Sequence, residues 1–321
     1  MATPALTPER VLRRLEWRVI RRLDGRLQGD YRSLFRGPGV DVADLREYQP
    51  GDDLRHIDWN VTARMDTPFV REYLEDREVT AWLLLDRSPS MGVGPIDRRK
   101  HVVVAEIAAT VAQVLTRGGN RVGAVLFDAD LEQTVPPGHG RTQVLRILSL
   151  LLDPPPAAGP DPVPAGRRPR LRRRDPARPA AGPRRTTDLS VPLRAAAGIA
   201  RRRSLVVIVS DFISEPGWER PLALLARRHD VVALQVQDRR EFELPAAGMV
   251  FVEDAETGEQ IFVDTADPGF QQRLRAVAEE RQAVLAETAS SAGADLFTVT
   301  TDEDLVRALA RVADLRKRRR R

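Results

Sequence analysis

The sequence predicts an α/β protein: a doubly wound, mostly parallel sheet preceded by a smaller N-terminal mixed segment. Two observations carry this expectation. Five short apolar runs, at 81–85, 122–127, 205–209, 231–236 and 296–299, are continuous rather than alternating, as in strands buried on both faces. Helical patterns lie between them, at 98–117, 142–152, 189–202, 218–228, 268–292 and 302–313, and strands alternating with helices wind into a sheet covered on both sides.

The elements follow in chain order. Leu12, Leu15, Val19, Leu23 and Leu27 recur at three- or four-residue spacing, so a helix is expected over 7–27, with Thr7 as its cap and Pro8 in its first turn. Gly29 and Gly37-Pro38-Gly39 end that pattern, and residues 40–78 are mixed and polar, with turns at Pro50-Gly51-Asp52 and Thr67-Pro68. The first buried run follows and ends at Asp86. Late in the chain, 249–253 and 260–264 read as a hairpin joined through Glu256-Thr257-Gly258. Residues 153–185, rich in Pro, Ala, Gly and Arg, have no apolar period and are expected to be a disordered insert within the α/β unit. The organisation expected is therefore 1–79 as N-terminal helix and polar segment, 80–315 as the α/β domain carrying that insert, and 316–321 as a basic tail.

Composition narrows the function. With no cysteine, thiolate nucleophiles, disulfides and cysteine-ligated metals are excluded, and four histidines leave little for a histidine-rich metal site. No apolar run reaches the ~18 residues of a membrane helix, so the expected compartment is the cytoplasm. The formal charge of +5 is unevenly spread. Nine Arg against two Asp give 161–185 a net +7, and the last six residues add +6, which leaves the rest of the chain at −8.

The chemistry concentrates at the end of the first buried run, where Asp86, Ser88 and Ser90 form D-x-S-x-S. In an open α/β sheet, ligands bind at the carboxyl ends of the strands. A carboxylate and two hydroxyls at i, i+2 and i+4 on a tight loop can converge on a hard divalent cation, most naturally Mg²⁺. Thr187, in Thr186-Thr187-Asp188-Leu189, and Asp211, closing the 206–209 strand, stand where a sheet-top site wants further oxygens. The same residue types also serve as turn and cap groups. This set resembles the metal-ion-dependent adhesion site of von Willebrand factor A domains. The resemblance implies a metal held by Asp86, Ser88, Ser90, Thr187 and Asp211, with one position filled by an acidic residue of a protein partner.

A second constellation lies upstream. Arg46, Tyr48, Gly51, Asp52, Asp53, Arg55, Asp58 and Trp59, followed by Thr62-Ala63-Arg64, are dense in charged and aromatic types and read as a salt-linked platform or structural brace. His56 and Asp58 have no Ser or Cys nucleophile placed beside them in sequence. R-x-Y-x-x-G-D-D-x-R-x-I-D-W, then T-A-R, then a buried strand with D-x-S-x-S-M, resembles the bacterial and archaeal family called domain of unknown function 58 (DUF58), most strongly over 40–127 and extending through Asp211. Many members carry N-terminal membrane helices, so the chain resembles the shorter branch. The resemblance implies an adaptor working with a MoxR-type AAA+ ATPase in protein maturation or remodelling; the insert at 167–185 is not part of that pattern.

Two other functions are consistent with parts of the chain. A Mg²⁺-dependent phosphohydrolase would use Asp86, but D-x-D-x-T is absent and Lys100 and Lys317 are the only lysines. Nucleic-acid or anionic-surface binding would use the Arg segments, which lack interleaved aromatics for base stacking.

Overall fold

The computed structural model describes residues 7–15, 45–50, 52, 54, 57, 59–65, 67–71, 79–95, 98–153, 186–253 and 260–319. Of the upstream platform, Gly51, Asp53, Arg55 and Asp58 lie outside these residues, as do the second half of the expected N-terminal helix and residues 154–185 of the insert.

The N-terminal part contains α1 (Pro8–Leu15), β1 (Leu45–Glu47), α2 (Trp59–Met65) and β2 (Phe69–Arg71). Strands β1 and β2 pair antiparallel, with Arg46 opposite Val70. Asp52 closes the turn before α2: its carboxylate accepts the Gln49 N–H at 2.9 Å, while its own N–H donates to the Gln49 carbonyl. Thr62 in α2 accepts the Phe69 N–H at 3.0 Å and so ties that helix to β2. Tyr48 is half-buried, whereas Trp59 and Arg64 face solvent.

The main body follows as β3 (Thr80–Asp86), α3 (Lys100–Arg117), β4 (Arg121–Phe127), β5 (Leu131–Gly138), α4 (Gly140–Leu152), α5 (Ser190–Ile199), β6 (Leu205–Ser210), α6 (Glu219–Arg228), β7 (Asp230–Gln237), β8 (Met249–Glu253), β9 (Gln260–Asp264), α7 (Pro268–Ala292), β10 (Asp295–Thr300) and α8 (Leu305–Arg319). Six strands form one sheet in the order β10-β7-β6-β3-β4-β5. All neighbours run parallel except β5, which is antiparallel to β4 at the edge. This is the doubly wound, mostly parallel architecture expected. The strand order reverses about β3, the topological switch point where such sheets place their ligands.

The period of two along each strand splits the core into two layers. Ala81, Leu83 and Leu85 of β3, with Val207 and Val209 of β6, pack against α1, α3, α4 and α8. Trp82 and Leu84, with Val206 and Ile208, pack against α5, α6 and α7. Val11, Leu12 and Leu15 belong to the first of these layers, so the N-terminal helix is part of the same core.

Three features depart from expectation. Strand β5 was not anticipated: among the described side chains of its Leu131–Gly138 span only Val135 is buried, and Pro136 and Pro137 are tolerated because an antiparallel edge strand leaves one side unpaired. Helix α8 continues through the expected basic tail to Arg319. Arg316 is among the most buried side chains described: its guanidinium donates to both carboxylate oxygens of Asp230 at 2.7 and 2.8 Å and to Asp295 at 3.0 Å. Two strand-start carboxylates therefore convert a residue of the basic run into a structural one. Strands β8 and β9 pair antiparallel as expected, as a separate two-stranded sheet whose cross-strand pair Phe251–Phe262 is exposed, while the expected connection through Glu256-Thr257-Gly258 lies outside the described residues.

Candidate functional site

Asp86 ends β3 at the centre of the sheet, and its carboxylate organises the loop that follows. One oxygen accepts the Ser88 N–H at 2.8 Å, which turns the chain away from the strand. Pro89 then starts a short 3₁₀ turn, Pro89–Gly92, in which the Met91 N–H donates to the Ser88 carbonyl. That turn brings the Ser88 and Ser90 hydroxyls to 2.9 Å of one another, both buried beside Asp86. The second Asp86 oxygen accepts the Ser210 hydroxyl at 2.5 Å, linking the ends of β3 and β6.

Asp211 follows Ser210 and is buried. One of its oxygens accepts the Ile213 N–H at 3.0 Å. Phe212, between them, adopts φ 59°, a left-handed conformation that costs a residue with a Cβ about 1–2 kcal/mol. The strained turn is held by the Phe212 N–H donating to Ser210 at 2.9 Å and by the Phe212 ring against Trp218, 5.9 Å between centroids. Backbone strain at a strand end beside buried carboxylates is characteristic of a functional loop.

Thr187 is buried as well, in a loop fastened to the one after β6. The Glu215 N–H donates to the Thr187 carbonyl at 2.9 Å, the Leu189 N–H to the Ser214 hydroxyl at 2.9 Å, and the Thr186 hydroxyl to Glu215. All five residues expected at the site are thus buried at the carboxyl edge of the sheet, Asp86 at the last position of β3 and the other four on the loops there. Asp86, Ser88 and Ser90 are brought into one hydrogen-bonded group, Asp211 adjoins it through Ser210, and Thr187 is joined to the Asp211 loop through backbone and neighbouring side chains.

A residue not anticipated completes the arrangement. Lys100, at the start of α3, is fully buried, and its ammonium donates to Asp211 at 2.7 Å and to Glu241. Burial alone would pull its pKa down, but the charges of Asp211 and Glu241 outweigh it and hold the ammonium above its ordinary range. Gly94 permits this approach: it has φ +123°, and a Cβ there would meet Arg99 Cα at 3.1 Å and an Asp238 oxygen at 3.2 Å. Glu241 is itself fixed by a capping box, in which its second oxygen accepts the Asp238 N–H at 3.1 Å. Asp238 in turn accepts the Thr301 hydroxyl, so Lys100 is tied to the carboxyl ends of β6, β7 and β10. A signal for it existed: in a chain that uses Arg almost throughout, one of only two lysines sits just after the D-x-S-x-S loop.

The electrostatics of the group are lopsided. Burial, then the neighbouring charge of Asp211, raises the Asp86 carboxyl from 3.8 to about 7, against the hydrogen bonds from Ser210 and Ser88 that favour its charged form. Fully ionised, Asp86, Asp211 and Glu241 outweigh Lys100 by two charges. Hard carboxylate and hydroxyl oxygens around an excess of two negative charges fit a divalent cation such as Mg²⁺. Asp86, Ser88, Ser90, Thr187 and Asp211 are the residues that would hold it. Among the described residues there is no cluster of three or more His, Cys, Asp or Glu side chains disposed around one metal position, so hydroxyls would make up much of the donor set.

Fold and site together define a doubly wound α/β protein with a buried oxygen-rich group at the switch point of its sheet. The chain belongs to the family described as Protein of unknown function DUF58, whose model matches residues 44–284. It is 36% identical over 307 residues to the uncharacterized proteins Rv1480 of Mycobacterium tuberculosis and Mb1516 of Mycobacterium bovis, covering 96% of this chain and 89% of each relative. Among solved structures, the conserved hypothetical protein BatB from Bacteroides thetaiotaomicron aligns with 76% of this chain and all of its own, at 15% identity and a TM-score of 0.42. The SpRpn10 VWA domain aligns with 73% of this chain and 94% of its own, at 12% identity and a TM-score of 0.38. Among the described residues no helix is long and apolar enough to cross a membrane.

Proposed function

We propose that this protein is a metal-dependent protein-binding adaptor, in which Asp86, Ser88, Ser90, Thr187 and Asp211 hold a divalent cation, Mg²⁺, at a surface that docks an acidic residue of a partner. The observation that carries the reading is the pairing of Asp86 and Asp211 with three buried hydroxyl residues at the switch point of the sheet. Two carboxylates and several hydroxyls leave coordination positions for solvent or a partner group, as Mg²⁺ sites commonly do. The family likeness supports an adaptor, and we extend it to a MoxR-type AAA+ ATPase as the partner and to the cytoplasm as the setting.

The test is a binding measurement between the purified chain and a MoxR-type ATPase from the same genome, in Mg²⁺ and in EDTA. Binding should require the metal and should vanish in Asp86→Ala while that variant keeps its circular dichroism spectrum. Undiminished binding in EDTA, or by Asp86→Ala, rules out metal-dependent docking. Metal binding without ATPase binding rules out this partner alone.

A further inference from the structure

We infer that Lys100 is a tethered competitor at the cation site: its ammonium occupies the Asp211 carboxylate that a divalent ion needs, and so sets how tightly that ion is held. The inference rests on the metal reading above and names the residue that regulates it.

The geometry is specific. Asp211 has two oxygens; one accepts the Ile213 N–H at 3.0 Å and the other accepts Lys100 at 2.7 Å. An incoming ion must therefore share or displace the charge that Lys100 supplies. The ammonium is positioned by more than Asp211. Its second partner, Glu241, is fixed by the Asp238 capping box, and the start of α3 is held by the Lys100 N–H donating to the Val93 carbonyl at 3.0 Å. A lysine on a flexible stem at the surface would swing away from an arriving cation. This one is fully buried and has no solvent to swing into. It raises the potential at Asp211 whether or not metal is present, and it satisfies Asp211 in the metal-free chain. The expected result is a protein that stays folded without metal and binds it weakly until a partner carboxylate adds a further negative group.

Calorimetric titration of the full chain with MnCl₂ and with MgCl₂ tests this, with Lys100→Met, Glu241→Gln and the double variant beside wild type. Lys100→Met should bind the ion more tightly by about tenfold or more, since a unit charge is removed a few ångströms away in a poorly screened site. Glu241→Gln, which leaves Lys100 to Asp211 alone, should bind more weakly than wild type. The double variant guards against misfolding, because it removes the ammonium together with one of its two carboxylates. It has the same total charge as wild type in the cluster, so tighter binding by it isolates the release of Asp211 from a general charge effect. Equal or weaker affinity in the double variant overturns the inference while leaving the metal reading intact. No binding by any folded variant, wild type included, overturns both.

Discussion

Asp86→Asn should stabilise the metal-free protein above neutral pH while abolishing its response to metal. The unfolded chain releases the Asp86 proton near 3.8, whereas the folded chain keeps it to about 7, because the carboxylate is buried beside Asp211. Between those values the folded state binds the extra proton, so its stability falls as pH rises, and the loss is complete above about 7. The gap corresponds to about 4 kcal/mol at most. Asparagine retains an oxygen to accept the Ser88 N–H and an amide to face Ser210, without the charge. Urea unfolding in EDTA from pH 4 to 8 is the assay. Wild type should lose stability across this range, the variant should lose much less, and at pH 8 the variant should be the more stable. Mg²⁺ should then raise the midpoint of wild type and leave that of the variant unchanged. The reasoning is refuted if Asp86→Asn is less stable than wild type at pH 8 in EDTA, or if both lose stability equally.

Other consequences are open to direct measurement. Arg316→Met leaves Asp230 and Asp295 without their shared cation and should cost about 3 kcal/mol in denaturant unfolding, whereas Arg318→Ala, exposed on the same helix, should change stability by less than about 0.5 kcal/mol; similar effects would show that Arg316 is not structural. Gly123→Ala places a Cβ 2.8 Å from the Trp82 ring and 3.0 Å from the Val135 carbonyl and should cost about 1–3 kcal/mol, with partial recovery in combination with Trp82→Leu. Additivity of those two substitutions would rule out the clash. Deleting 161–185 and 317–321 together should remove salt-dependent retention on heparin or DNA, because those segments carry a net +12 and their loss leaves the rest of the chain at −7. Unchanged elution would place polyanion binding on the folded body.

Much of the architecture was legible because it depends on local pattern. Continuous apolar runs mark strands covered on both faces, and β3, β4, β6, β7 and β10 lie where those runs stand. Helix α7 spans the expected residues because Asp267, whose carboxylate accepts the Gly269 and Phe270 N–H groups at 3.0 Å, caps its start and Gly293, at φ 78°, ends it. The D-x-S-x-S group was legible for a similar reason, since the Asp86–Ser88 and Ser88–Ser90 contacts join residues two apart. Strand β5 was not, because an edge strand whose apolar residues do not run continuously or alternate has no apolar signature.

What the sequence by itself determined is thus the buried strands, the long helices and the short-range part of the site. The tertiary structure decided which charges are neighbours. Lys100 and Asp211 are 111 residues apart, Asp86 and Ser210 are 124 apart, and Arg316 and Asp230 are 86 apart. No local spacing encodes such pairs. They exist because parallel strands with crossover helices bring the carboxyl ends of β3, β6 and β7 to one edge and the starts of β7 and β10 together at the other, and because burial turns each isolated charge into a cost that only a distant partner can offset. The same closure divided the C-terminal basic run, burying Arg316 against two carboxylates while leaving Arg318 exposed.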